Sequence, residues 1–115
     1  MPCIDVKTNV AIPKEGEQEL AHNLSQVMND VMGKPEKFMM VTMDDQCKLY
    51  FGGSNAPAAN LEFGIYKTSD HETWNEVTKQ TTQVVSKELN IPVERVYIQQ
   101  AEYKYWGYNG ENFKD

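Results

Sequence analysis

Cysteine and histidine are scarce in this 115-residue chain: the only ones are Cys3, Cys47, His22 and His71. The cysteines stand 44 positions apart and make neither a C-x-x-C pair nor a zinc-ligand spacing. A metal centre or a thiol–disulfide pair therefore has no basis in the sequence. Basic residues are outnumbered, 11 Lys and Arg against 17 Asp and Glu, for a net charge of −6. That sign argues against nucleic acid and anionic membrane surfaces as partners, because both need basic patches. No apolar run approaches the ~20 residues that span a bilayer. The opening Met1-Pro2-Cys3-Ile4-Asp5 has no basic stretch followed by an apolar one. No secretory signal is read there, so the expected location is the cytoplasm, with any secretion by a route that needs no signal peptide.

The length suits one domain covering residues 1–115. Within it the order strand, helix, strand occurs twice, over 1–57 and 58–115. Ile4, Val6, Thr8 and Val10 alternate as one face of a strand over 4–10. Pro13 suits a first helical turn, Glu15, Glu17 and Glu19 favour its positive end, and Leu20, Leu24, Val27, Met28 and Val31 form a stripe at helical period. Gly33 and Pro35 stop that helix. Phe38–Met43 is an apolar run that reads as a strand buried on both faces. Leu61, Phe63 and Ile65 begin the second unit. Ser69 and Glu72 have capping-box spacing, and Trp74, Val77, Thr81, Val84, Val85 and Leu89 share a helix face. Asn90 and Pro92 end that helix, and Val96–Gln99 is the last strand. Pairs such as Ile4 and Leu61, Pro35 and Pro92, and Val41 and Ile98 all differ by 57 positions. Two β-α-β units predict an α+β domain: a four-stranded mixed sheet with two helices on one face. The other sheet face has no helix left to cover it, which predicts symmetric self-association.

The residue with the most chemistry is Pro2. Removal of Met1 turns it into a secondary amine, and α-amino groups titrate near ~7.7–8.0. Burial or a nearby cation lowers that value towards the range in which a general base works at neutral pH. With Met1 attached, the Pro2 nitrogen is a tertiary amide and cannot act as a base. A small residue after Met normally permits removal of the methionine. Lys34, read on its own, is a helix C-terminal cation, and Tyr97 a packing residue in a strand. Gly52-Gly53 reads as a tight turn. The aromatic tail from Tyr103 packs on a core or a partner.

Taken in order, these pieces resemble the family of macrophage migration inhibitory factor and D-dopachrome tautomerase over nearly the whole chain. They are Pro2, Thr8-Asn9-Val10, Gly33-Lys34-Pro35, Phe51-Gly52-Gly53-Ser54, Arg95-Val96-Tyr97-Ile98 and Phe113. The resemblance implies a homotrimer with active sites between subunits and a cofactor-free keto–enol tautomerase for phenylpyruvate-like or dopachrome-like substrates. It also implies a cytokine role; a receptor-binding cytokine mimic with vestigial catalysis, or a purely structural trimer, are the alternatives. Carried onto this sequence, Pro2 is the catalytic base and Lys34 holds the substrate carboxylate. Ile65 contributes its backbone amide and Tyr97 comes from the neighbouring subunit. Phe38, Tyr108 and Phe113 form an apolar wall. Gln99 stands where animal members carry an asparagine that binds substrate, which shifts the expected substrate position. Ala58 and Leu61 stand where the mammalian cytokine has its C-x-x-C pair. Cys3, beside Pro2 and within reach of a lysine, suggests a reactive thiol.

Overall fold

The structure is a computed structural model and describes residues 1–114. Four strands form one mixed sheet: β1 (Pro2–Thr8), β2 (Met40–Asp44), β3 (Ala59–Tyr66) and β4 (Val96–Tyr103), in the order β2-β1-β3-β4. The outer pairs are parallel and the central pair, β1 with β3, is antiparallel. Helices α1 (Lys14–Met32) and α2 (His71–Leu89) make the two parallel crossovers. The sheet and the paired helices are the four-stranded mixed sheet and two-helix layer that the sequence predicts.

The expected stripe drives this packing. Leu20, Leu24, Val27 and Met28 of α1 and Trp74, Val77 and Val85 of α2 are buried against Ile4, Val6, Leu61, Phe63 and Ile65. Each fully buried Leu or Ile contributes about 2 kcal/mol. Gly33 ends α1 in the left-handed region at φ +67°, and Asn90 does the same for α2 at φ +55°.

The 57-residue offset runs through the whole frame. Lys14 to His71 is 57 positions, as is Met32 to Leu89. The one-turn 3₁₀ segments Glu36–Phe38 and Val93–Arg95 keep it, and so does the register of Cys3 with Met40 and Asn60 with Tyr97. It extends to the tail, where β5 (Gly107–Tyr108) and β6 (Glu111–Asn112) form a hairpin. Its turn residues Asn109 and Gly110 have φ of +55° and +86°, matching Gly52 and Gly53 at +60° and +79°. Asn-Gly is the strongest short hairpin signal, because both turn positions need positive φ.

Four expectations change. β1 begins at Pro2 and stops at Thr8, because the Asn9 side chain leaves the sheet to bond the loop before β3. Phe38–Met43 is not buried on both faces. Phe38 lies in a 3₁₀ turn, and β2 is an edge strand that alternates, with Met40 65% exposed. The N-cap of α2 is Asp70, whose carboxylate accepts from the Thr73 amide at 2.7 Å; the Ser69 amide instead donates to Glu102. β4 runs on to Tyr103, because β3 pairs with it as far as Tyr66.

Candidate active site

Pro2 is buried at the start of β1, opposite Ile65 of β3. Met1 precedes it, and the Met1 carbonyl accepts a hydrogen bond from the Tyr66 amide at 3.2 Å. Burial, and then the Lys34 ammonium, hold the Met1 amine below the usual range of an α-amino group; Cys3 opposes them. Lys34 is placed by the left-handed turn at Gly33, whose amide closes on Asn29 and whose successor's amide closes on Met28. It lines a cleft of about 280 Å³ with Ile65, Val31, Thr68, Ser69 and Thr73.

A chain of rings forms the wall. The Phe38 and Tyr108 centroids are 6.2 Å apart, Tyr108 and Phe113 6.2 Å, and Phe113 and Tyr66 5.2 Å. Tyr66 closes the circuit through the hydrogen bond that its amide donates to the Met1 carbonyl. The hairpin that carries Tyr108 is held shut by the Phe113 amide donating to the Trp106 carbonyl at 3.0 Å.

Pro2, Lys34, Ile65, Phe38, Tyr108 and Phe113 are thus gathered at one end of the sheet. Tyr97 and Gln99 are not. Tyr97 pairs with Asn60, five positions along β3 from Ile65, or about 16 Å at the rise of a strand. Its ring, 58% exposed, lies 4.6 Å from Phe51. The Gln99 amide donates to Asn60 Oδ1 at 2.7 Å on the open sheet face. Within one protomer neither side chain reaches the chain start.

Two assignments are corrected. Successive amides of a strand point to opposite sides. Tyr66 N–H faces β1, and Lys67 N–H donates to the Tyr103 carbonyl on the β4 side at 2.9 Å. The Ile65 amide shares the direction of Lys67, so Tyr66, not Ile65, offers its N–H towards the chain start. Ile65 supplies a buried side chain instead. Cys3 is not an activated thiol: burial first, then Asp5, push it above its ordinary value, against a smaller pull from the terminal amine. Among the described residues no group of three His, Cys, Asp or Glu is placed to hold a metal ion, and no helix is long and apolar enough to cross a membrane.

Asn9 and Arg95 act at the far end. Asn9 donates to the Asn55 and Ala56 carbonyls at 3.1 and 3.0 Å and accepts from the Ala58 amide at 2.9 Å. Arg95 donates to the carbonyls of Pro57, Phe51, Ser54 and Ala56 at 2.9–3.3 Å. The Phe51–Ser54 turn is therefore a pinned backbone turn.

The doubled β-α-β frame, with a buried proline behind the initiator methionine and a lysine beside it, defines a proline-led domain of the tautomerase-like fold. The profile of macrophage migration inhibitory factor matches residues 1–114, and the chain belongs to that family. Its relatives include macrophage migration inhibitory factor of Xenopus laevis, 28% identical over 98% of this chain and 99% of that one. D-dopachrome decarboxylase-B of the same frog is 25% identical over 96% of this chain and 95% of its own. Among solved structures, MIF2 of Leishmania major superposes with a TM-score of 0.92 at 28% identity, covering 98% of this chain and 97% of that one.

Proposed function

We propose that the chain, once Met1 is removed, is a cofactor-independent keto–enol tautomerase acting on phenylpyruvate-like or dopachrome-like compounds. The observation that carries this reading is the corner at the chain start, where Pro2 is buried opposite Ile65 and Lys34 lies close enough to depress the Met1 amine that precedes it. The neutral Pro2 amine takes a proton from the carbon next to the substrate carbonyl. The electron pair moves into the carbonyl, and the proton on Pro2 is returned to oxygen, so the product is an isomer and nothing else is consumed. Lys34 holds the carboxylate as a point charge. The Tyr66 N–H, which donates to the Met1 carbonyl while Met1 is attached, would turn to the oxygen on which charge develops once Met1 is removed. The rings of Phe38, Tyr108 and Phe113 receive the apolar part.

Tyr97 and Gln99 enter this site only from a second copy. A homotrimer, with each site completed by a neighbour, is the assembly this reading requires. It also covers the sheet face that no helix covers.

The test compares Met1-free protein, verified by the mass of its N-terminal peptide, with protein that retains Met1, using phenylpyruvate. The free form should be faster by a hundredfold or more, the scale of a lost general base. Equal rates would overturn the mechanism. Sedimentation reads the assembly, and a monomer with full activity would remove Tyr97 and Gln99 from the site.

A further inference from the structure

Tyr97 and Gln99 join the site only through a second copy, yet each is already held by its own chain. The Tyr97 ring is 58% exposed and rests on Phe51, with the two centroids 4.6 Å apart and the planes tilted by 55°. Phe51 is anchored in turn. Its amide donates to the Ser54 carbonyl at 2.9 Å, and the Ser54 amide returns the bond at 3.1 Å. The Arg95 guanidinium lies 5.1 Å from the Phe51 ring. That guanidinium is locked by its bonds to the carbonyls of Pro57, Phe51, Ser54 and Ala56. Arg95 ends the 3₁₀ turn before β4, and Tyr97 is the second residue of that strand.

The far end therefore does more than close a loop, because it supports a ring that stays open to contact. A ring held in place before binding has little freedom left to lose on binding. Gln99 is held in the same manner, through its 2.7 Å bond to Asn60 Oδ1. The 57-residue offset makes Phe51 and Arg95 the counterparts of Tyr108 and Phe38. One pair lines the protomer's own candidate site, and the other supports the ring that a neighbour would use.

We propose that Phe51, anchored by Arg95, is a positioning residue for the site of the neighbouring subunit: it sets the Tyr97 ring that is lent across the boundary. This rests on the tautomerase reading and on the homotrimer which that reading requires. Phe51 acts through Tyr97 alone. It governs how tightly the apolar part of the substrate is held and leaves the Pro2 amine as it is.

The test uses Met1-free protein and phenylpyruvate, with dissociation constants from calorimetry and KM and kcat from enol absorbance. Phe51→Leu keeps an apolar side chain in the turn and removes the ring. It should weaken binding and raise KM about fivefold, the scale of one aromatic pair. The acid limb of the pH profile should stay in place, and Phe51→Tyr, which keeps the ring, should remain near native. Sedimentation checks that the trimer persists, and Phe51→Met carries the same expectation should the leucine variant lose it. Mixed trimers then separate action within a chain from action across the boundary. In trimers of Phe51→Leu chains with Pro2→Gly chains, every working amine belongs to a Phe51→Leu chain. Where the neighbour is a Pro2→Gly chain, the borrowed Tyr97 is intact, so a component with native KM should appear. A raised KM at every working site would overturn the proposal, as would unchanged binding in Phe51→Leu or a native protein that is monomeric. Binding without turnover in the native chain would sink the tautomerase reading alone. The ratio of dissociation constants between native and Phe51→Leu protein would still decide whether Phe51 sets the site.

Discussion

The two ends of the sheet are built from equivalent positions and finished in opposite ways. The antiparallel pair β1–β3, centred on Asp5 opposite Glu62, sets Pro2 beside Ile65 at one end and Thr8 beside Ala59 at the other. The 57-residue offset makes Ala59 the counterpart of Pro2, Ile91 that of Lys34, Arg95 that of Phe38, and Phe51 that of Tyr108. Even the contact survives: Tyr108 meets Phe38 at one end, and Phe51 meets Arg95 at the other. At the far end the guanidinium of Arg95 satisfies loop carbonyls, Asn9 bonds the same loop, and Ile91 is 1% exposed. At the near end a phenyl ring replaces the donor and a cation replaces the buried isoleucine. One frame yields a sealed end and an open one, and the exchange of two side chains decides which end leaves room for a ligand.

The largest expected effect breaks the comparison at its first residue. Pro2→Gly in Met1-free protein should lower kcat/KM for phenylpyruvate by a hundredfold or more, because a well-placed base contributes about 10²–10⁴. The counterpart Ala59→Gly should reduce stability by about 1 kcal/mol and leave the rate nearly unchanged. A similar loss of rate from both would mean that the chemistry does not reside at the near end.

Next in size is the seal. Arg95→Ala removes the charged donor from the loop carbonyls and should cost about 2 kcal/mol in urea unfolding, the value of hydrogen bonds to a charged group. Phe38→Ala, with a ring already 39% exposed, should cost about 1 kcal/mol and act on KM instead. If Phe38→Ala were the more destabilising, the near end would be a packed seal rather than a wall.

How much of this contrast is legible in the sequence depends on whether the signal is local. The stripe from Leu20 to Val31, the stop at Gly33 and the 57-residue rhyme can be read because each compares the chain with itself. The exposure of β2 cannot, since Met40-Val41-Thr42-Met43 reads alike in a central strand and at an edge. Strand order alone decides between them. The roles of Asn9 and Arg95 were hidden for the same reason, as their partners lie about 40 or more residues away. The shift from Ile65 to Tyr66 has a different cause. Alternating side chains reveal which residues face the core, but the side to which each amide points depends on the hydrogen-bond phase with β1. Cys3 reads as an activated thiol in sequence because its burial, the leading cause of its raised value, is not visible there, and Asp5 two residues on adds to it. The turn at Asn109-Gly110 is legible in sequence, because Asn-Gly suits two positive-φ positions.

Electrostatics give a smaller and signed test. The Lys34 ammonium lowers the pKa of the Met1 amine, and the same charge should act on the Pro2 amine once Met1 is removed, so deleting it should let the pKa of the base rise. In Lys34→Ala the acid limb of the kcat/KM profile should therefore move to higher pH, leaving less neutral amine at pH 7. KM for a carboxylate substrate should rise at the same time, and by less for its ester. At the far end Ile91 carries no charge, so Ile91→Val should leave the limb where it was and cost only about 1 kcal/mol of stability. A limb that stays fixed in Lys34→Ala would assign the depressed amine to burial alone.

The smallest effect lies at the helix stops that place the two counterparts Lys34 and Ile91. Gly33 and Asn90 both adopt positive φ, and an L side chain there meets its own backbone. A Cβ on Gly33 would have nothing within 4 Å, so the cost of Gly33→Ala is conformational, about 1 kcal/mol, with no clash added. Asn90→Gly should change stability by no more than about 0.5 kcal/mol, because asparagine already tolerates this region and glycine adds entropy to the unfolded chain. Thermal unfolding of both variants reads the difference. If Gly33→Ala also raises KM, the left-handed stop is what aims Lys34 into its cleft; an unchanged KM would show that the lysine finds its place without it.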